Sequence, residues 1–142
     1  MASFEIIGGK KLNGEITPQG AKNEALQILC AVLLTDQKVT INNIPYIRDV
    51  NKLIDLLETL GVTTEKNGSS IIFDAANVNV SYLESTNFRE QAASIRGSVM
   101  ILGPLLARFG KGKLPKPGGD KIGRRPMDTH FIGLQRLGAT FS

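Results

Sequence analysis

A chain of 142 residues with 42% hydrophobic and 21% charged residues has the composition of one ordinary globular domain, which excludes wholesale disorder. No apolar run approaches the ~18 residues that a membrane span requires. Met1-Ala2-Ser3-Phe4-Glu5 has no basic n-region, so no secretory leader is expected and a cytoplasmic location is. One cysteine (Cys30) and one histidine (His130) exclude an intrachain disulfide and a structural zinc site, and Cys30 in Leu29-Cys30-Ala31-Val32 reads as a packed apolar residue.

In chain order, Phe4–Ile7 and Gly14–Thr17 read as short strands, and Pro18-Gln19-Gly20 as a turn. Ala21–Leu34 reads as a helix with Ala21, Ala25, Ile28, Leu29 and Val32 on one face. Lys38–Asn42 alternates as a strand. Arg48–Leu60 is a second amphipathic helix with Val50, Leu53, Ile54, Leu57 and Leu60 inward and Gly61 as its stop. Val62–Thr64 and Ser70–Phe73 flank Asn67-Gly68, a hairpin signal. Asn77–Val80 is a further strand candidate. Arg89–Phe109 reads as one long helix, kinked at Gly103-Pro104. Met127–Leu137 is a helix ending at Gly138, and Ala139–Phe141 begins a strand.

The net charge is +4, and most of it is concentrated in one place. Between Arg108 and Arg125 seven basic residues stand against Asp120 alone, among five glycines and two prolines. Most of such a window cannot be helix interior. It is either a loop that closes over anions or a solvated surface loop. Phosphate contacts to nucleic acid are a third reading, weakened because no aromatic stacking platform occurs between Phe109 and Phe131.

Leu57-Glu58-Thr59-Leu60-Gly61-Val62-Thr63 resembles Leu134-Gln135-Arg136-Leu137-Gly138-Ala139-Thr140. Before each lies a long apolar helix, a connection and a second amphipathic helix, the signature of repeated supersecondary units. The second unit stops just after its matching segment. The expectation is therefore a truncated chain with an uncovered edge, a route to self-association.

Three stretches carry a family resemblance: Gly8-Gly9-Lys10 through Pro18-Gln19-Gly20-Ala21-Lys22-Asn23-Glu24-Ala25; Arg96 with Gly103–Gly110; and Pro117-Gly118-Gly119-Asp120-Lys121-Ile122-Gly123-Arg124-Arg125-Pro126-Met127-Asp128-Thr129-His130. In order and spacing they resemble the N-terminal part of the UDP-N-acetylglucosamine 1-carboxyvinyltransferases, a family of enolpyruvyl transferases. The resemblance implies an α/β (α+β) fold of repeated βαβ-type units, an inside-out α/β barrel, here truncated. Residues 1–20 would be strands that pack with the other domain. Residues 21–142 would be an incomplete first domain with a flexible loop at 110–124. The implied reaction moves an enolpyruvyl group from phosphoenolpyruvate to the 3-hydroxyl of UDP-N-acetylglucosamine and releases phosphate, the first committed step of peptidoglycan synthesis. No cofactor or metal is implied, and neither nucleic acid nor membrane is a partner.

Both substrates are anionic, so their site needs several fixed cations. By resemblance Lys22 contacts phosphoenolpyruvate and Asn23 the sugar nucleotide; Lys22 also stands at a helix start, where anions are favoured. Arg96 interrupts an apolar stretch and matches an arginine near phosphoenolpyruvate. Arg125 matches another, and Pro126, Met127, Asp128 and Thr129 match the segment that holds the nucleotide. Alternatively, Arg124-Arg125 is a solvated pair and Asp128 a helix cap. His130 beside Phe131 reads as packed.

Asp120 departs from the usual family cysteine at the loop tip, although some members carry aspartate there. A carboxyl raised toward neutrality by burial can donate a proton, while Lys121 and Arg124 oppose that rise. The expectation is that Asp120 is the loop's general acid, with Lys22 and Arg125 as its catalytic companions, and that the enzyme is insensitive to the thiol-alkylating antibiotic fosfomycin. The family's catalytic base lies outside this sequence, so the chain alone is expected to be inactive. The shikimate-pathway enolpyruvyl transferases and a non-catalytic basic binding module are the alternatives.

Overall fold

The computed structural model describes residues 3–118, 123 and 126–141. Five α-helices and one three-stranded sheet follow along these residues: α1 (Lys22–Ala31), β1 (Val39–Ile41), α2 (Arg48–Thr59), β2 (Thr63–Asn67), β3 (Ser70–Asp74), α3 (Thr86–Ser94), α4 (Leu102–Phe109) and α5 (Asp128–Arg136).

The sheet order is β1-β3-β2, with both outer strands antiparallel to β3. β1 and β2 therefore run in the same direction with α2 crossing between them, and β3 is inserted in the gap. This is a split βαβ unit, and mixed α and β structure of the expected class is present. Along β3 the pleat buries Ile71 and Phe73 and leaves Ser70, Ile72 and Asp74 partly exposed. α2 lies on that apolar face. Its Val50, Leu53, Ile54, Leu56, Leu57 and the following Leu60 are all buried, as their spacing requires. α1 adds Ala25, Leu29 and Cys30, and the turn of 3-10 helix after it adds Val32 and Leu33; Ile28, expected on that face, is 42% exposed. The Cys30 thiol donates to the Leu26 carbonyl oxygen at 3.1 Å, and burial pushes its pKa up to about 12. It is packing material, as its apolar neighbours suggest.

The long helix read at Arg89–Phe109 is broken. α3 ends at Ser94, Ile95 is extended, and a 3-10 turn over Arg96–Ile101 leads into α4, with a bend of 117° between the two arms. The break lies eight residues before Gly103-Pro104. Pro104 falls in the first turn of α4, where its missing N–H has no intrahelical partner to lose. Ser98 sits inside the bend, and its hydroxyl donates to the carbonyls of Ala92 (2.7 Å) and Ile95 (2.9 Å). No single helix among the described residues is long and apolar enough to cross a membrane.

Four expected strands are absent. Phe4–Ile7 and Gly14–Thr17 carry no regular structure, because a strand forms only by pairing and no described strand lies beside them. Phe4, Ile6, Ile7, Leu12 and Ile16 are 80–95% exposed. At Asn77–Val80 the Asn79 side chain instead accepts from Ser81 N and starts a 3-10 turn. Ala139–Phe141 is not a strand either; Phe141 packs edge-on against Phe131 with ring centroids 5.1 Å apart.

The internal repeat is visible in the backbone. After α2, Gly61 N bonds to Glu58 O and Val62 N to Leu57 O; after α5, Gly138 N bonds to Gln135 O and Ala139 N to Leu134 O. Gly61 (φ 99°) and Gly138 (φ 96°) take the left-handed conformation that this helix ending needs.

Part of the basic window belongs to the scaffold. Arg108 lies within α4, and its Nη1 donates to the carbonyls of Leu33 (3.2 Å), Thr35 (2.8 Å) and Ala75 (3.1 Å), tying three chain segments together. Beyond it, Lys113 pairs with Glu84 at 2.6 Å, Leu114 packs on the core and Pro117 is buried. Gly118 lies against the Ala93 carbonyl, where a Cβ would come within 2.1 Å of the oxygen. The first half of the loop expected at 110–124 is thus docked on α3 and its approach. Lys113 and, more weakly, Arg89 hold the exposed Glu84 carboxyl below its usual value of 4.5. A carboxyl that is more acidic folded than unfolded favours folding above that value, and the advantage fades as pH falls below it. The difference in urea midpoint between wild type and Glu84→Gln at neutral pH should therefore shrink by about pH 3.

Candidate functional site

A cleft of about 730 Å³ opens between the start of α1, the start of α2 and the bend between α3 and α4. Lys22 and Asn23 come from the first turn of α1, and Arg48, Asp49 and Lys52 from the first turns of α2. Arg96 and Gly97 come from the start of the 3-10 turn, and His130 from α5. The sequence thus brings Lys22, Asn23 and Arg96 together from stretches over seventy residues apart.

One backbone contact fixes the α1 and α2 side of this convergence. Gly20 precedes α1 and presses on the turn before α2. A Cβ there would lie 2.1 Å from the Asn43 carbonyl oxygen and 3.1 Å from Pro45 Cδ. Asn43 is itself left-handed (φ 55°). Only glycine permits that approach, and it sets the beginnings of α1 and α2 side by side. Lys22 Nζ then reaches Asp49 Oδ2 at 3.1 Å across 27 residues.

The helix starts on this cleft share a further property. Ala21 and Ile47 are the N-caps of α1 and α2, and neither offers a side-chain cap. Away from the cleft, α3 is capped by Ser85, which accepts from Phe88 N. Uncapped helix starts present N–H groups and positive dipole ends to whatever occupies the cleft. Among the described residues, four basic side chains (Lys22, Arg48, Lys52 and Arg96) stand there against one acid, Asp49. Arg96 is half-buried at the apolar floor formed by Leu26, Ile95 and Val99. In chemical terms such a set of side chains is suited to an anion with more than one charge.

The remaining expectations are distributed differently. Pro126, Met127, Asp128 and Thr129 sit at the start of α5 and do not line the cleft, whereas the next residue, His130, does. His130 is exposed on the cleft wall, so the packed role read from Phe131 is corrected. Asp128 is the first helical residue; the cap is Met127, so the capping role is not taken up. Asp120, Arg124 and Arg125 lie outside the described residues. Arg48, Asp49 and Lys52 went unread in the sequence, although one signal marks them. They begin a helix directly after the turn at Pro45, as Lys22 and Asn23 do after the turn at Pro18–Gly20.

Gly20→Ala tests the geometry. Overpacking against a backbone carbonyl should cost about 1–3 kcal/mol in urea unfolding. Gly8→Ala, where a Cβ meets nothing within 4 Å, should stay within about 0.5 kcal/mol of wild type.

Comparison with known proteins places this cleft in context. Residues 6–142 match the family model described as EPSP synthase (3-phosphoshikimate 1-carboxyvinyltransferase). The chain is 63% identical to the UDP-N-acetylglucosamine 1-carboxyvinyltransferase of Bacteroides fragilis, over 100% of the chain and 33% of that protein. It is 57% identical to the protein of the same name from Porphyromonas gingivalis and 46% identical to that of Escherichia fergusonii, each over 99% of the chain and 32% of the relative. The chain therefore spans about a third of the length of the curated relatives it matches. With a match running from residue 6 to residue 142, the chain belongs to the EPSP synthase family of enolpyruvyl transferases.

Proposed function

We propose that this chain supplies one wall of an enolpyruvyl transferase site that moves the enolpyruvyl group of phosphoenolpyruvate to the 3-hydroxyl of UDP-N-acetylglucosamine and releases phosphate, the entry step of peptidoglycan synthesis. The observation that carries the reading is the convergence of Lys22, Asn23 and Arg96 on one cation-rich cleft. The names of the relatives favour the sugar nucleotide over shikimate 3-phosphate as acceptor.

In this reading Lys22 and Arg96 take the phosphate and carboxylate of phosphoenolpyruvate. Asn23 orients the acceptor sugar, and the start of α5, from Pro126 to Thr129, carries the nucleotide. Arg125 adds a bidentate grip on the donor. Lys22 lowers the cost of charge developing on the departing phosphate. Asp120 delivers the proton to the donor's methylene carbon, in place of the thiol usual in the family. Residues 1–20 would become strands only by pairing with a second domain, residues 21–142 form part of the first domain, and the apolar side chains exposed along 4–16 offer a surface for self-association. The reaction is cytoplasmic and uses no metal or organic cofactor.

Three experiments test this. Phosphoenolpyruvate and UDP-N-acetylglucosamine, titrated separately into the isotope-labelled chain, should each shift amide resonances at Lys22, Asn23 and Arg96, while shikimate 3-phosphate should not. The chain alone should release no phosphate from the substrate pair, and steady release would contradict a one-walled site. In an enzyme that contains this segment whole, fosfomycin should leave activity intact. Rapid, time-dependent inactivation with an adduct on Asp120 would refute its assignment as the replacement acid.

A further inference from the structure

The cleft contains an acid that the reading above does not employ. Asp49 is its single acid among the described residues, and it is joined to Lys22, the residue to which that reading gives the donor anion. We propose that Asp49 is the exchangeable counter-ion of Lys22: it holds the ammonium at the cleft wall and yields it to the incoming phosphate or carboxylate. The inference rests on the reading of Lys22 as a ligand for phosphoenolpyruvate, and it makes Asp49 a positioning residue.

Three observations support the exchange. The pair is 3.1 Å long and is open to water, with side chains 43% and 46% exposed, so it is weak and labile. It bridges the start of α1 and the start of α2, and it biases the flexible lysine stem toward the cleft wall before any ligand arrives. The carboxylate also has somewhere to go. Lys52 lies three residues further along α2, on the same helix face and the same cleft, and the N-terminal end of α2 favours a negative charge in its first turn. An anion carrying both phosphate and carboxylate meets four cations here and can outcompete a single carboxylate for Lys22. No bond is made or broken; one ion pair replaces another.

Exchange implies competition, and competition can be measured. Phosphoenolpyruvate is titrated into the chain at fixed ionic strength, in wild type, Asp49→Asn, Lys22→Met and the double variant, with amide shifts as the readout. Dispersed spectra check that each variant is folded; both positions are exposed, and neither change removes core packing. Asp49→Asn should tighten binding about threefold to tenfold, because the ligand no longer displaces a resident anion. The gain should vanish in the Lys22→Met background, the double variant binding no more tightly than Lys22→Met alone. An equal gain in both backgrounds would reduce the effect to general charge and overturn the exchange. Weaker or unchanged binding in Asp49→Asn would overturn it as well, while leaving Lys22 as a ligand. A wild-type chain whose Lys22 region does not respond to phosphoenolpyruvate would remove the underlying reading, and the inference with it.

Discussion

The close approach of Gly20 to the Asn43 carbonyl is the constraint from which the cleft follows. It is a backbone contact with no room for a side chain, so it cannot drift by small rotamer adjustments. Through it the beginnings of α1 and α2 are set side by side, and two uncapped helix starts point into one space. Lys22 and Asp49 meet because their backbones already do; an exposed ion pair worth at most about 1 kcal/mol could not impose that arrangement.

Stability is drawn from elsewhere in the chain. The buried surface of α2 faces Phe73 and Ile71, while α1 and the bent segment after Ile95 close the far side. Arg108 fixes the rear of this assembly through three carbonyls, and charged hydrogen bonds of that type are worth about 1.5–3 kcal/mol each when well formed. One nitrogen serving three acceptors shares its two hydrogens, so the sum is smaller than three such bonds. The cation excess at the cleft is a load that this scaffold can carry, because none of the four cations belongs to the buried core.

Legibility in the sequence tracked how local each determinant is. α2 was readable nearly to the residue, since its apolar period, the preceding Pro45 turn and the terminating Gly61 all lie within it. The hairpin at Asn67-Gly68 was readable for the same reason. The bend at Ile95 was not: its apolar stretch satisfies a continuous helical pattern, and the break is held by Ser98 bonding back to two carbonyls, which no periodicity reveals. The strands assigned near both ends failed because pairing is a property of neighbours rather than of a segment. At the site, Lys22, Asn23 and Arg96 were legible through family resemblance and the oddity of a charge among apolar residues. Arg48, Asp49 and Lys52 were hidden because a charged residue at the start of an amphipathic helix is unremarkable until the tertiary structure shows what it faces.

The segment from Phe4 to Ile16 has a practical consequence. Its five large apolar side chains stand almost fully in water on backbone with no strand partner. Grease displayed on an extended, unpaired strip adheres to whatever offers a complementary strip. A net charge of +4 is a modest electrostatic barrier against such adhesion. Trimming or shielding this strip removes five of the most exposed large apolar side chains from the isolated polypeptide and with them a means of adhesion.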